Sequence, residues 1–181
     1  PDLLAGPGAS LRGDVALLAG TLPPVDLAYL DPPYNQHRYE SNYHVWETLV
    51  AWDAPAHYGV ACKRTDLRDT TGRSPFNSRR TMVPALRSLI ADVPAEVVVV
   101  SYNDESWLAR EELVDMCAQK GEVRMLAFDS RRYIGATIGV HGRSGERVGT
   151  PGRLRNEEWV LVAGPRAVVE RMTSEPLPAP K

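Results

Sequence analysis

Cysteine, long apolar runs and an excess of either charge are what this chain has little of. Only 2 cysteines occur in 181 residues. Cys62 and Cys117 form neither a CxxC pair nor a zinc-ligand pattern, so buried free thiols in a reducing compartment are expected rather than a disulfide. No run approaches the roughly 20 consecutive apolar residues of a membrane-spanning helix. The opening PDLLAGPGASLRGD has no basic segment followed by an apolar one, so no secretory signal is expected, and a cytoplasmic location is. It also lacks an initiator Met, which leaves room for a longer natural chain. No internal repeat is found. Net charge is −2, which by itself speaks against a nucleic-acid partner.

Hydrophobic residues make up 43%, enough to bury a core. The charges are unevenly spread. Residues 63–87 carry Lys63, Arg64, Arg68, Arg73, Arg79, Arg80 and Arg87 against Asp66 and Asp69. Residues 131–155 carry six arginines against Glu146 alone. Such segregation can give a basic face to a nearly neutral protein; the rival reading is solvated loop charge.

VDLAYL (25–30) reads as a short buried strand ending in Asp-Pro. SNYHVWETLVAWD (41–53) reads as a helix with Val45, Leu49 and Trp52 on one face, and Trp46 and Trp52 are expected in the core. TMVPALRSLIADV (81–93) is a second helix, with Pro84 tolerable in its first turn. EVVVVSY (96–102) is the clearest strand, buried on both sheet faces. Asp104 or Ser106 caps a third helix through Ala109, Leu113, Met116 and Cys117. EVRMLAF (122–128) and EEWVLVA (157–163) are further strands. They are separated by a Gly- and Arg-rich stretch, long enough to be functional, and should pair as an antiparallel hairpin. The expected fold is α/β, an open and mainly parallel sheet with helices on both faces. A partial domain should span 1–163, and a Pro-rich, disordered tail 164–181.

The informative stretch is VDLAYLDPPYNQHRYESNYHVWETL. In an open α/β sheet, ligands bind beyond the carboxyl ends of the strands, and Asp31 lies just past such an end. Pro32 has no N–H, and Pro33 restricts the conformation of Pro32. An Asp31 oxygen and the Pro32 carbonyl then offer two acceptors to one group with two donors, such as an exocyclic NH₂. Tyr34 supplies a ring on which a planar base can stack.

DLAYLDPPYN resembles the catalytic motif of the amino-group DNA methyltransferases. LRGDVALL before it, and NYHVWETLVAWD, SPFNSRR, VVVSYNDESW and LRNEEWVLV after it in order, make the chain similar to the Dam-like, adenine-specific branch over about residues 11–163. The resemblance implies a Rossmann-like sheet, S-adenosyl-L-methionine as cofactor, and double-stranded DNA as partner. It implies methyl transfer to N6 of an adenine flipped from the duplex. Asp31, Pro32, Pro33 and Tyr34 become the catalytic set. Asp14 and Phe76, with Asp31, become cofactor contacts, although a turn or cap acid is an equal reading for Asp14 and a core residue for Phe76. Asn35, His37, Arg38 and Tyr39 fall on the DNA side of the pocket, and Arg79, Arg80, Arg131 and Arg132 suit phosphates. Ser101 and Asn103 should emerge beside Asp31.

The family's Phe-x-Gly-x-Gly cofactor loop has no counterpart here. LAGPGAS at Leu4–Ser10 lacks the aromatic residue and a preceding strand, and reads as a flexible leader. An incomplete domain is therefore expected, with a missing N-terminal half or complementing chain as partner, and VDLAYL becomes an apolar sheet edge. Rival readings are a cytosine-N4 or RNA-adenine methyltransferase, and a catalytically inert nucleic-acid-binding remnant. A metal site at His37 and His44 is not expected, because their spacing of seven is wrong for one helical face.

Overall fold

The computed structural model describes residues 8–34, 38–68, 74–131, 140–141, 147–149 and 153–174. Four strands form the main sheet: β1 (Val25–Leu30), β4 (Ala95–Asn103), β8 (Arg155–Gly164) and β5 (Glu122–Arg131), side by side in that order. β1 pairs parallel with β4. β8 runs antiparallel to both β4 and β5. Three strands therefore point one way, and the last strand is inserted between β4 and β5. The expected hairpin of β5 and β8 is present, and the α/β architecture holds. Two short ladders complete the strands: β2 (His57–Tyr58) with β3 (Lys63–Arg64), and β6 (Val140–His141) with β7 (Arg147–Gly149).

Helices α4 (Arg79–Asp92) and α5 (Arg110–Cys117) cover one face of the sheet. Side chains alternate across a strand, so Val98, Val100 and Tyr102 of β4 meet Leu86, Ile90, Leu113 and Met116 from the helices. Val97 and Val162 point the other way and pack on Val169 of α6 (Arg166–Thr173). The Val run of β4 is thus buried on both faces, as its continuous hydrophobicity implies.

Several expectations are corrected. The helix expected over 41–53 is two pieces, α2 (Tyr39–Asn42) and α3 (His44–Ala51), broken at Tyr43. Its presumed core face is bare: Trp46 is 62% and Trp52 84% exposed, and Val45 and Leu49 are exposed too. Trp52 closes α3 in the left-handed region, with φ of 50°, which aims it away from any helical face. Neither Asp104 nor Ser106 caps α5. Its first turn is closed by Glu112, whose carboxylate accepts from Ala109 N at 2.8 Å. The segment after Gly164 is not a tail at once, because Val168 and Val169 give α6 an apolar side to bury; residues 175–181 lie outside the described ones. Cys62 is exposed, whereas Cys117 is buried as expected.

Candidate active site

α1 (Val15–Leu18) is a single turn begun by Asp14, whose carboxylate accepts from Ala16 N at 2.9 Å. The cap reading of Asp14 therefore holds locally. The same residue also lines a cavity of about 770 Å³ at the carboxyl end of β1. Tyr29, Leu30, Asp31, Pro32 and Pro33 form one wall. Arg12 to Val15 form a second, and Ser74 to Phe76 with Leu89 a third. Three residues widely separated in sequence and expected at one cofactor site, Asp14, Asp31 and Phe76, thus come together around one space.

The turn carrying Phe76 has a local cause. Ser74 caps a 3₁₀ turn, Pro75–Asn77, by accepting from Phe76 N at 3.3 Å, and the Thr81 hydroxyl donates to the Pro75 carbonyl at 2.8 Å. Phe76 is buried in the main core, so it contributes a fixed edge to the cavity and not a free ring.

Beyond β1 the chain leaves Asp31 exposed, buries Pro32 and half-buries Pro33 and Tyr34. Tyr34 packs edge-on against buried Tyr102, ring centroids 6.0 Å apart at 73°. Tyr39 stacks on Tyr43 at 5.9 Å. Partial burial, and then the neighbouring Asp31 carboxylate, raise the Tyr39 phenol above its ordinary value. Glu158 on β8 is likewise raised, first by burial and then by Asp104, Glu105 and Asp31, with a hydrogen bond from Asn103 opposing. Asp31 therefore stands in an acidic neighbourhood built from the ends of β1, β4 and β8. Asn103 is buried there, and its side-chain oxygen accepts from Glu105 N at 3.1 Å.

Arg38 does not point freely outward. Its guanidinium donates to the Leu67 carbonyl at 2.9 Å and lies 3.5 Å from Glu40. Arg79 and Arg80 are exposed in the first turn of α4, and Arg131 is exposed at the end of β5. None of these three lines the cavity. Asn35, His37 and Arg132 lie outside the described residues. Sequence reasoning missed Arg12, Glu40 and Glu158. Arg12 sits two residues from Asp14 and could have been found with it; nothing near Glu40 or Glu158 singles them out.

The cavity suits a nucleoside carrying both charges. Its volume falls in the usual range for small ligands, about 300–1,000 Å³. Arg12 can pair a carboxylate, and Asp14 has a second oxygen for a hydroxyl.

The family profile described as D12 class N6 adenine-specific DNA methyltransferase matches residues 14–116. Type II methyltransferase M.NlaIII of Neisseria lactamica is 30% identical over 108 residues, 60% of this chain and 31% of that protein. Type II methyltransferase M.FokI of Planomicrobium okeanokoites is 34% identical over 97 residues, 53% of this chain and 14% of the relative. Modification methylase LlaI of Lactococcus lactis subsp. lactis is 31% identical over 111 residues, 60% of this chain and 17% of the relative. The matched stretches thus span a third or less of these relatives. No solved structure matches the chain.

Proposed function

From the premise that this chain belongs to the D12 class N6 adenine-specific DNA methyltransferases, we propose that it carries the target-base half of an enzyme that methylates adenine N6 in double-stranded DNA. The carrying observation is the meeting of Asp14, Asp31, Pro32, Pro33 and Phe76 around one cavity. S-adenosyl-L-methionine, when bound, supplies an electrophilic methyl group. Arg12 and Asp14 would hold its polar ends, and Phe76 would fix the depth of the site.

In this reading Asp31 and the Pro32 carbonyl accept hydrogen bonds from the adenine amino group. They hold it in plane and shift density toward the nitrogen lone pair. Each bond to the charged carboxylate contributes about 1.5–3 kcal/mol. Tyr34, steadied by Tyr102, stacks on the extruded base, with stacking worth roughly 1–3 kcal/mol. Neither term is large, so positioning supplies much of the rate. The acidic surroundings of Asp31 favour the positive charge that develops on the amine during transfer. The proton released afterwards has carboxylates within reach.

The test follows labelled methyl from S-adenosyl-L-methionine into duplex DNA, using this chain alone and the longest natural chain that contains it. Label on adenine N6, lost at least about a hundredfold in Asp31→Ala with DNA affinity little changed, is expected. Undiminished transfer by Asp31→Ala sinks the mechanism. Label on cytosine N4 or on RNA alone would replace the substrate. DNA binding without any label at saturating cofactor would leave an inert binding protein.

A further inference from the structure

On β8, Glu158 stands opposite Asn103 of β4 and Phe128 of β5. Side chains alternate along a strand. Trp159 enters the core beside α4 and α5, so Glu158 takes the other face, and Asn156 shares that face with it. Asn103 is only 2% exposed. Its side-chain oxygen accepts from Glu105 N at 3.1 Å, and its amide group donates to the Glu158 carboxylate. A buried amide with both ends engaged thus fixes where a half-buried carboxylate stands.

The register brings this pair toward Asp31. Leu30, the last residue of β1, lies beside Val100. The chain therefore passes Asp31 where β4 passes Ser101, two residues before Asn103. Glu158 lies within electrostatic reach of Asp31, and of Asp104 and Glu105 beyond the end of β4. Asp104 is itself paired with Arg153. A separate observation shows that this end of the sheet is short of donors. Asn156 is 7% exposed, and its amide group donates to Glu105 at 3.1 Å. Its side-chain oxygen, and one oxygen of Asp104, are buried without a partner among the described residues. Buried acceptors are nearly always paired, so carboxylates and unpaired acceptors gather here where a positively charged group would be welcome.

Resting on the methyltransferase reading, we infer that Glu158, oriented by Asn103, is a second carboxylate of the reaction, placed behind Asp31 to stabilise the positive charge that arrives on N6. The N6 lone pair forms the new N–C bond, and the methyl carbon's bond to sulfur breaks with its electrons going to sulfur. The amine then carries the charge until one of its protons passes to the Asp31 carboxylate. Asp31 lines the cavity and Glu158 does not, so Glu158 acts through its field and not by contact. β8 lies two strand spacings from β1, about 10 Å. At an effective dielectric of about 20, a unit charge at that range changes a rate by about tenfold.

Glu158→Gln tests this, because it keeps an oxygen for the Asn103 amide and removes only the charge. It is made in the longest natural chain that contains these residues. The expected result is a kcat for transfer to duplex DNA about tenfold lower, with KM for DNA and melting at neutral pH unchanged, since the charge acts only as the amine becomes positive. The acid limb should move as well. Burial, then Asp104, Glu105 and Asp31, raise the Glu158 carboxyl against the Asn103 bond. Wild-type kcat should therefore begin to fall at a higher pH than an ordinary carboxylate would set, and Glu158→Gln should shift that limb downward. A binding measurement stands apart from transfer. Wild type should prefer a duplex whose target base carries an aminomethyl group, a fixed ammonium, over the adenine duplex, and Glu158→Gln should cut that preference about tenfold. An unchanged preference, or a lower kcat that comes with lower melting and an unmoved acid limb, would overturn the inference. A Glu158-dependent preference without any methyl transfer by wild type would sink the proposed function and leave the charge-holding role of Glu158 standing. Transfer that Asp31→Ala abolishes and Glu158→Gln leaves untouched at every pH would do the reverse.

Discussion

Arg64 sits in a basic run that reads as a possible basic face, yet its side chain is buried within the fold. Its guanidinium donates to Asp53 at 2.6 and 2.7 Å and to Asp66 at 2.8 Å, with Thr48 of α3 at 3.4 Å. These bonds hold both aspartates below the ordinary carboxylate range. The sign follows from linkage: a depressed folded pKa favours the pinned state fully above the unfolded value, and the gain is lost as pH falls through the folded one. Acidification below the usual aspartate range should therefore free α3 before the main sheet melts. Amide exchange at Trp52, whose N–H bonds to the Thr48 carbonyl at 2.8 Å, is the measurement. Arg64→Met should speed that exchange at neutral pH and erase its acid step. The two cysteines make a second contrast. Burial pushes the Cys117 thiol up to about 12, whereas Cys62 is exposed. Alkylation at pH 8 followed by mass spectrometry should label Cys62 alone in the folded chain; labelling of Cys117 at the same rate would contradict the packing of α5.

Among the elements, the most demanding join is where β5 begins against the end of β8. Gly121 has φ of +124°, and a Cβ there would lie 2.6 Å from the Gly164 carbonyl oxygen. Gly121→Ala should destabilise the chain by roughly 1–3 kcal/mol for the backbone conformation alone, with the clash adding to it, read from urea unfolding. In α4, Leu86 is fully buried beneath the sheet, and Leu86→Ala should cost about 2–5 kcal/mol in the same assay. Both strands of that core were legible, because a run of valines and the period of EEWVLVA depend on burial by near neighbours. The placement of Asp31 just past β1, on the cavity wall, was legible for a related reason: two prolines after a strand leave the backbone few alternatives. The face of α3 was not legible. Its apolar spacing is that of a buried helix, but a pattern names only a need for cover, and the described residues supply none. α6 was not legible, because the short apolar pair that settles it against the sheet, Val168 and Val169, lies in a Pro-rich ending and is too short to show a helical period.

For the whole molecule, the two arginine-rich runs give a smaller basic surface than their count implies. Arg87 pairs with Asp115, Arg153 with Asp104 and Arg155 with Asp129, and Arg68 lies over the Tyr58 ring at 4.1 Å. Sequence gives the number of charges but not their partners, because each of these acids is distant in the chain or belongs to another element. Arg79 and Arg80 differ, since both are exposed on α4 at the side of the molecule that carries the Phe76 turn. Each phosphate neutralised on duplex DNA contributes about 0.9 to the slope of log affinity against log salt. Replacing Arg79 and Arg80 with Gln should therefore flatten that slope by nearly two such increments and weaken binding alike for all sequences. Arg155→Gln should leave the slope almost unchanged, because Asp129 already holds that guanidinium at 2.6 Å. Fluorescence anisotropy of a labelled duplex across a salt series separates the two. Equal slopes for all the variants would count against a DNA-facing role for Arg79 and Arg80.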